Sequence, residues 1–211
     1  MIRLLAISGS PVENASTDLI LAEIANSIVD NIKTGEPIDS QFIKLNALKF
    51  IPCQACGKAP TPNYCFFEDD LTAIYPKIAA CDCLLFGSPV YFDSVSGQAK
   101  MFIDRCNCFR PYDFNKTQTE HNFIKLLSRK RPGAIVLVGG DDIGFEGARR
   151  TIAGFFKWIE LVNHGVIKYR SDDDRRSGTA QNDPAIIHQA REMGAKLATA
   201  ILKDYERPRN G

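Results

Sequence analysis

A run of small and hydroxyl-bearing residues near the start of the chain has the composition of a phosphate-binding loop. It has the sequence Ser8-Gly9-Ser10-Pro11-Val12-Glu13-Asn14-Ala15-Ser16-Thr17 and lies between an apolar run and a stretch with helical spacing. The amino end of a helix offers free amides and a partial positive charge, which together suit a phosphate dianion. The alternative is an ordinary capped helix after a Ser/Gly turn. The pattern predicts a monophosphate site formed by Ser8, Ser10, Asn14, Ala15, Ser16 and Thr17.

Two further loops rich in Gly and Ser follow later apolar runs, one beginning at Gly87 and one running from Gly139 to Gly147. In an open parallel sheet the strands end at one shared edge, where ligands bind. Neither G-x-x-x-x-G-K-[ST] nor G-x-G-x-x-G occurs, which argues against a triphosphate and a Rossmann-type dinucleotide. Core packing is the alternative to ring stacking for Phe92. We therefore predict bound FMN, with its ring against Pro89, Val90 and Tyr91 and with Tyr91 or Phe92 stacked on it. Ser88, Gly139, Gly140 and Asp141 are predicted as further cofactor-binding residues.

Three of the seven cysteines lie in one loop that also contains prolines. Cys53 and Cys56 form a C-x-x-C pair, and Cys65 follows. A C-x-x-C pair can be a redox-active dithiol or supply two ligands of a zinc site, although no convincing second pair is present. The third interpretation is a structural segment, and the spacing alone does not choose among the three.

The other four cysteines are expected in the core. Cys81 and Cys83 are two residues apart on a predicted strand, so both should face one side of the sheet. Cys106 and Cys108 close a predicted helix. The three histidines are dispersed and form no motif: His121, His164 and His188.

Apolar runs alternate with helix-like stretches, which predicts parallel strands joined by right-handed helical crossovers. The predicted strands are Arg3 to Ile7, Gln41 to Leu45, Cys81 to Gly87, Ala134 to Val138 and Val166 to Tyr169. The predicted helices are Ser16 to Asn31 (with Ser16 or Thr17 as N-cap), Asp70 to Ala80, Ser96 to Cys106, Gly147 to Val162 and Pro184 to Asp204. We therefore expect one domain over residues 1–211, an α/β fold with a flavodoxin-like, doubly wound, five-stranded parallel sheet in a three-layer α/β/α arrangement.

Composition narrows the class of protein. Hydrophobic residues make up 45% of the chain and charged residues 24%, as in an ordinary globular protein, and the net charge is +1. This balance does not suggest nucleic acid or a membrane surface, and no signal peptide is evident, so we expect a cytoplasmic protein. Two polar stretches fit no element, 110–132 and 170–183. Each is either a solvated loop or a lid or subunit contact over the site.

Several segments together resemble the NADPH-dependent FMN reductase family, near its iron–sulfur flavoprotein branch. They are Ile7 to Pro11 with Asn14, Ser16 and Thr17; Cys53 to Cys56 with Cys65, Asp69 and Asp70; Gly87 to Tyr91; Lys100 to Arg105; and Asn182 to Pro184 with Ala190, Gly194 and Ala198. The resemblance implies a flavodoxin-like fold, bound FMN and hydride transfer from NADPH or NADH. Family members commonly form dimers or tetramers, so we expect a homodimer or homotetramer.

The predicted function is an NAD(P)H-dependent oxidoreductase that passes a hydride through FMN to a quinone, a flavin or another small acceptor. The flavin performs this chemistry, so no catalytic side chain is assigned. An electron carrier, like flavodoxin or an iron–sulfur flavoprotein, is the alternative; carriers tend to be strongly acidic, unlike this chain. A scaffold that has lost its cofactor is a third.

The resemblance has two departures. Relatives often carry Arg where Val12 follows the Ser-Pro pair, and iron–sulfur relatives carry a third cysteine where this chain has Ala59. A four-iron cluster takes four thiolates, so we predict no stable cluster and no metal site.

Overall fold

The computed structural model describes residues 1–60, 63–116, 122–140, 144–171 and 178–205. Within these ranges the strands are β1 (Ile2–Ser8), β2 (Ile38–Lys44), β3 (Cys83–Tyr91), β4 (Ser94–Val95), β5 (Arg131–Gly139) and β6 (Leu161–Arg170). The order across the sheet is β2-β1-β3-β5-β6, with every neighbouring pair parallel. The two-residue β4 pairs antiparallel with the end of β3 and makes six strands rather than the predicted five.

Helices cover both faces of the sheet. They are α1 (Ser16–Asn31), α2 (Tyr75–Ala80), α3 (Gly97–Arg105), α4 (Glu146–Trp158) and α5 (Pro184–Tyr205). Because side chains alternate along a strand, Leu4 and Ala6 pack toward α1 and α5, whereas Leu5 and Ile7 pack toward the opposite layer. The central strands are therefore apolar on both faces, and the predicted doubly wound α/β/α fold is confirmed.

Several element ends differ from prediction. The helix predicted from Asp70 to Ala80 begins as a 3-10 turn over Asp70–Ala73, and α2 spans only Tyr75–Ala80. Helix α4 stops at Trp158 because Glu160 adopts a positive φ of 61°, so Leu161 and Val162 begin β6 instead of ending the helix. The N-cap of α1 is Ala15, whose side chain makes no capping hydrogen bond. The Ser16 hydroxyl instead accepts a hydrogen bond from the Ala180 amide at 3.1 Å.

The four cysteines outside the Pro-rich loop are buried, as predicted. However, Cys81 and Cys83 face opposite layers of the protein. The prediction that they share one face is wrong because β3 begins only at Cys83, and Cys81 still belongs to the turn after α2.

The described parts of the two polar stretches lie at opposite ends of the parallel strands. The described parts of 110–132 contact the ends of α3 and α4 and lead into β5, away from the edge where the strands end. In the second stretch, the Gly178 amide donates to the Asn14 carbonyl at 3.0 Å, beside the predicted phosphate site. The charged run 172–176 lies outside the described residues. The described helices include none with the length and apolarity to cross a membrane.

Candidate functional site

The three glycine-containing loops meet where β1, β3 and β5 end, which we call the carboxyl edge. The Gly9 amide donates to the Gly87 carbonyl at 2.8 Å, and the Ser96 hydroxyl donates to the Gly9 carbonyl at 2.6 Å. A Cβ at Gly9 would lie 2.7 Å from the Cβ of Ala99, so only glycine allows this approach. The first and second loops are therefore packed together, as their positions after parallel strands predict.

The amino end of α1 has the features of an anion site. This 16-residue helix begins after Ala15, which provides no side-chain cap. Asn14 has a φ of 54°, a left-handed conformation that Asn adopts more readily than most residues. A left-handed residue among helical ones turns successive amides into a concave anion-binding surface. These features fit the FMN phosphate predicted there, and Ser16 and Thr17 lie buried in the first turn.

The two serines of the first loop are held by other protein groups. Ser8 is completely buried, and its hydroxyl donates to the Asp18 carboxylate at 2.5 Å. It also accepts from the Ser10 amide at 3.2 Å. The Ser10 hydroxyl lies 3.2 Å from both the amide and the carbonyl of Val12. Both serines therefore shape the loop, and the Ser8 proton is committed to Asp18.

A buried ion pair beneath the first loop was not predicted from the sequence. The Lys44 ammonium contacts the Asp18 carboxylate and donates to the Val12 carbonyl. The side chains are only 9% and 11% exposed. Lys44 is brought there because β1 and β2 are paired with Ser8 opposite Lys44, a register that no local motif signals. A cation thus supports the loop from below, although Val12 occupies the position where relatives often carry Arg.

The second loop is a tight hairpin between β3 and β4. Ser88 is buried, with its hydroxyl donating to the Pro89 carbonyl at 2.7 Å and accepting from the Ser96 amide at 3.0 Å. Pro89 is half-buried, and the Val90 side chain lies in the core, which leaves its backbone for any ring contact. Tyr91 is 46% exposed and Phe92 fully exposed, so the core alternative for Phe92 is excluded.

The third loop leaves β5 at Gly139. Gly139 is buried. It lies next to Val90, since a Cβ built on Gly139 would be 3.6 Å from the Val90 Cβ. Among the described residues, no atom lies within 4 Å of a Cβ built on Gly140, so this part of the chain leaves space there at the carboxyl edge. The Gly140 carbonyl accepts from Arg170 at 3.1 Å. Asp141, also predicted to bind the cofactor, lies outside the described residues.

A cavity lies at the far ends of α3 and α4. It has a volume of about 250 Å³, and we call it the thiol cavity, because four cysteines line it: Cys53, Cys56, Cys65 and Cys108. Tyr112, Phe123 and Trp158 supply aromatic walls. Helix α3 begins at the carboxyl edge and is nine residues long, so it places the thiol cavity about 13 Å further along the molecule.

Arg105 anchors the chain beside the thiol cavity. Its guanidinium binds the Asp69 carboxylate at 2.5 Å and 3.2 Å and donates to the Ile51 carbonyl at 2.7 Å and the Phe67 carbonyl at 3.3 Å. Both flanks of the Pro-rich cysteine loop are thereby tied to α3. Arg105 and Asp69 belong to segments that carry the family resemblance, and in this structure their pairing is structural.

The cysteine spacing of the Pro-rich loop is incomplete for an iron–sulfur cluster. Ala59 cannot ligate iron, and among the residues that the structure describes no three Cys, His, Asp or Glu side chains are grouped to hold a metal ion. Burial raises the pKa of the Cys108 thiol, and the neighbouring Cys65 raises it further, so Cys108 is held as a neutral thiol. The Pro-rich loop therefore supplies three of the four thiolates that an iron–sulfur cluster takes, and the fourth cysteine of the cavity, Cys108, lies outside that loop in the short helical turn after α3.

Comparison with known proteins identifies the family. The family model for NADPH-dependent FMN reductase matches residues 2–166. An iron–sulfur flavoprotein of Methanocaldococcus jannaschii is 28% identical over 94% of this chain and 97% of its own length. A putative NAD(P)H-dependent FMN-containing oxidoreductase of Bacillus subtilis is 25% identical over 92% of this chain and 96% of its own.

Solved structures agree on the fold. A flavone reductase superposes with a TM-score of 0.65 at 17% identity, and the match covers 100% of this chain and 66% of that one. The fold, the carboxyl-edge loops and the match over residues 2–166 lead to the same conclusion. The chain belongs to the NADPH-dependent FMN reductase family and is a flavodoxin-like, flavin-dependent oxidoreductase.

Proposed function

We propose that this protein is an NAD(P)H-dependent reductase with bound FMN that reduces a small acceptor such as a quinone or a free flavin. The observation that carries the proposal is the amino end of α1, where Ala15 provides no capping side chain and the left-handed Asn14 turns the backbone beside the Gly178 amide. When bound, FMN supplies reversible uptake of a hydride, which lets it connect a nicotinamide donor to the acceptor.

Each loop has a distinct part in holding the cofactor. The backbone around Asn14 and the first turn of α1 receive the phosphate, where the helix dipole opposes its negative charge. Lys44 neutralises Asp18, which would otherwise place a carboxylate beneath the phosphate. The hairpin after β3 and the open space at Gly140 receive the ring. No protein acid or base is required, so the side chains bind and orient.

An electron carrier is the competing function, because relatives of this chain include iron–sulfur flavoproteins. The net charge of +1 disfavours it, since acidic carriers dock to basic partners. The missing third thiol disfavours electron relay through a cluster.

We further propose that the chain forms one domain and assembles as a homodimer or homotetramer, as members of its family commonly do.

Steady-state turnover separates the two functions. With FMN-loaded protein, menadione and NADPH, we expect continuous formation of NADP⁺ and menadiol, in which one hydride and one proton reach each quinone. NADH is the second donor to test. A carrier would give flavin that is reduced chemically but no sustained oxidation of either nicotinamide, and that result would reject the reductase function.

The placement of the phosphate is tested by Asn14→Asp. Asp also tolerates the left-handed conformation, so the fold should survive while a negative charge appears at the phosphate. We expect FMN affinity to fall by about tenfold or more. Asn115→Asp makes the same charge change on an exposed turn far from the carboxyl edge and should leave affinity unchanged. Equal affinities of both variants would refute the placement.

A further inference from the structure

The turn between β3 and β4 combines backbone strain with an exposed aromatic ring. Tyr91 pairs with Ser94, which leaves Phe92 and Asp93 as a two-residue loop. Their φ values are 52° and 56°. Hairpins of this type normally carry Asn-Gly or Asp-Gly, because both central residues need positive φ. A phenylalanine in this position is strained, and strained residues concentrate at functional sites.

The rest of the fold holds the turn in place through Asp93. The Asp93 carboxylate accepts a hydrogen bond from the Gly147 amide at 3.1 Å, in the first turn of α4. A Cβ at Gly147 would lie 2.1 Å from the Asp93 carbonyl oxygen, so the two backbones are in direct contact. These contacts secure Asp93, whereas the Phe92 side chain is fully exposed. Phe92 is therefore presented by a fixed turn, and its side chain packs against none of the residues that the structure describes.

The position of Phe92 indicates what it contacts. It directly follows the Ser88 to Tyr91 segment proposed to receive the flavin ring, at the edge shared with the first and third loops. The nicotinamide, quinones and free flavins are all planar, and each must lie against the flavin face to exchange a hydride. An aromatic side chain beside that face offers a planar partner an additional stacking contact.

We propose that Phe92 is a specificity-determining residue that forms an aromatic wall for the planar electron acceptor. The inference rests on the proposed function and adds that the acceptor is recognised by stacking. Phe92 thereby changes from a predicted cofactor contact to a contact for the acceptor.

Phe92→Asn tests the proposal with little risk to the fold, because Asn favours the required backbone conformation. Protein whose flavin has been reduced with dithionite is mixed without oxygen with menadione or with ferricyanide, which accepts single electrons without stacking. We expect the second-order rate with menadione to fall about tenfold, as the loss of one stacking contact implies. The ferricyanide rate, the FMN affinity and the oligomeric state should be unchanged, and the urea midpoint should be unchanged or higher.

Two controls complete the test. Phe92→Tyr keeps the ring and should retain the menadione rate. Phe114→Asn removes another exposed aromatic, 69% exposed and distant from the carboxyl edge, and should have no effect. An unchanged menadione rate in Phe92→Asn, or an equal fall with both acceptors, would overturn the proposal. A lower urea midpoint or a changed oligomeric state would also overturn it, by assigning Phe92 to folding or to a subunit contact. Failure of the wild-type protein to bind FMN would instead reject the proposed function.

Discussion

Replacing Lys44 by Met should lower both the free energy of unfolding and the affinity for FMN. Methionine keeps the volume of the side chain but leaves the Asp18 carboxylate with the Ser8 hydroxyl as its remaining described partner. Breaking a buried ion pair from one side costs about 3–5 kcal/mol. Because Lys44 and Asp18 are 9% and 11% exposed, we expect the lower end, about 3 kcal/mol of unfolding free energy. The uncompensated carboxylate beneath the proposed phosphate site should also lower FMN affinity by about tenfold.

Urea unfolding of protein without FMN measures the first effect, and titration of flavin fluorescence measures the second. The double variant Lys44→Met, Asp18→Asn removes the stranded charge and should recover about half of the lost stability, since contacting residues do not behave additively. Lys100→Met is the matched control, because Lys100 pairs with Asp104 on the surface and should change stability by less than about 0.5 kcal/mol. A loss below about 1 kcal/mol in Lys44→Met, with unchanged FMN affinity, would refute the assigned role of the ion pair.

Other consequences of the structure can be measured separately. Arg105→Lys keeps the charge but cannot reproduce the fork of bonds to Asp69 and two carbonyls, so the unfolding free energy should drop by about 2 kcal/mol; an unchanged urea midpoint would contradict this. Iron and sulfide analysis of protein purified without oxygen should find near-zero iron with one flavin per chain, whereas about four irons would show that a cluster forms after all. Burial and Lys196 lower the pKa of His164 below 6.5, so the unfolded chain binds the proton more readily and stability should decrease as the pH falls through about 6.5. His164→Gln should flatten this dependence, and an identical pH profile in that variant would rule out His164 as its source. Light scattering at micromolar concentration should show an oligomer, and monomer alone would count against the proposed assembly.

The fold was predictable because its signals are local. Apolar runs and helical spacing identified the five parallel strands, and α1 was predicted with its observed ends. Helix α4 was extended too far because nothing in the local pattern reveals the left-handed turn at Glu160. The hydroxyl of Ser16 was expected as a cap but is used by Ala180 across the molecule, a contact that depends on tertiary structure.

The site was only partly predictable, because several of its contacts depend on tertiary structure and not on local sequence. Motifs located the three loops, because each follows its strand directly. The pairing of Lys44 with Asp18 depends on strand register, and the meeting of Cys108 with the Pro-rich cysteine loop depends on where α3 ends. The exposure of Phe92 depends on a hairpin whose sequence lacks the usual turn residues. None of these leaves a periodic or compositional signal.

Anaerobic titration of the purified protein with NADPH and with NADH tests the central claim most directly. We expect a yellow protein with one FMN per chain, whose flavin absorbance is bleached by one equivalent of at least one of the two nicotinamides. The Asn14→Asp variant should lose the flavin under the same conditions. A colourless protein that does not bind added FMN, or bound FMN that neither nicotinamide reduces, would contradict the assignment as an NAD(P)H-dependent FMN reductase.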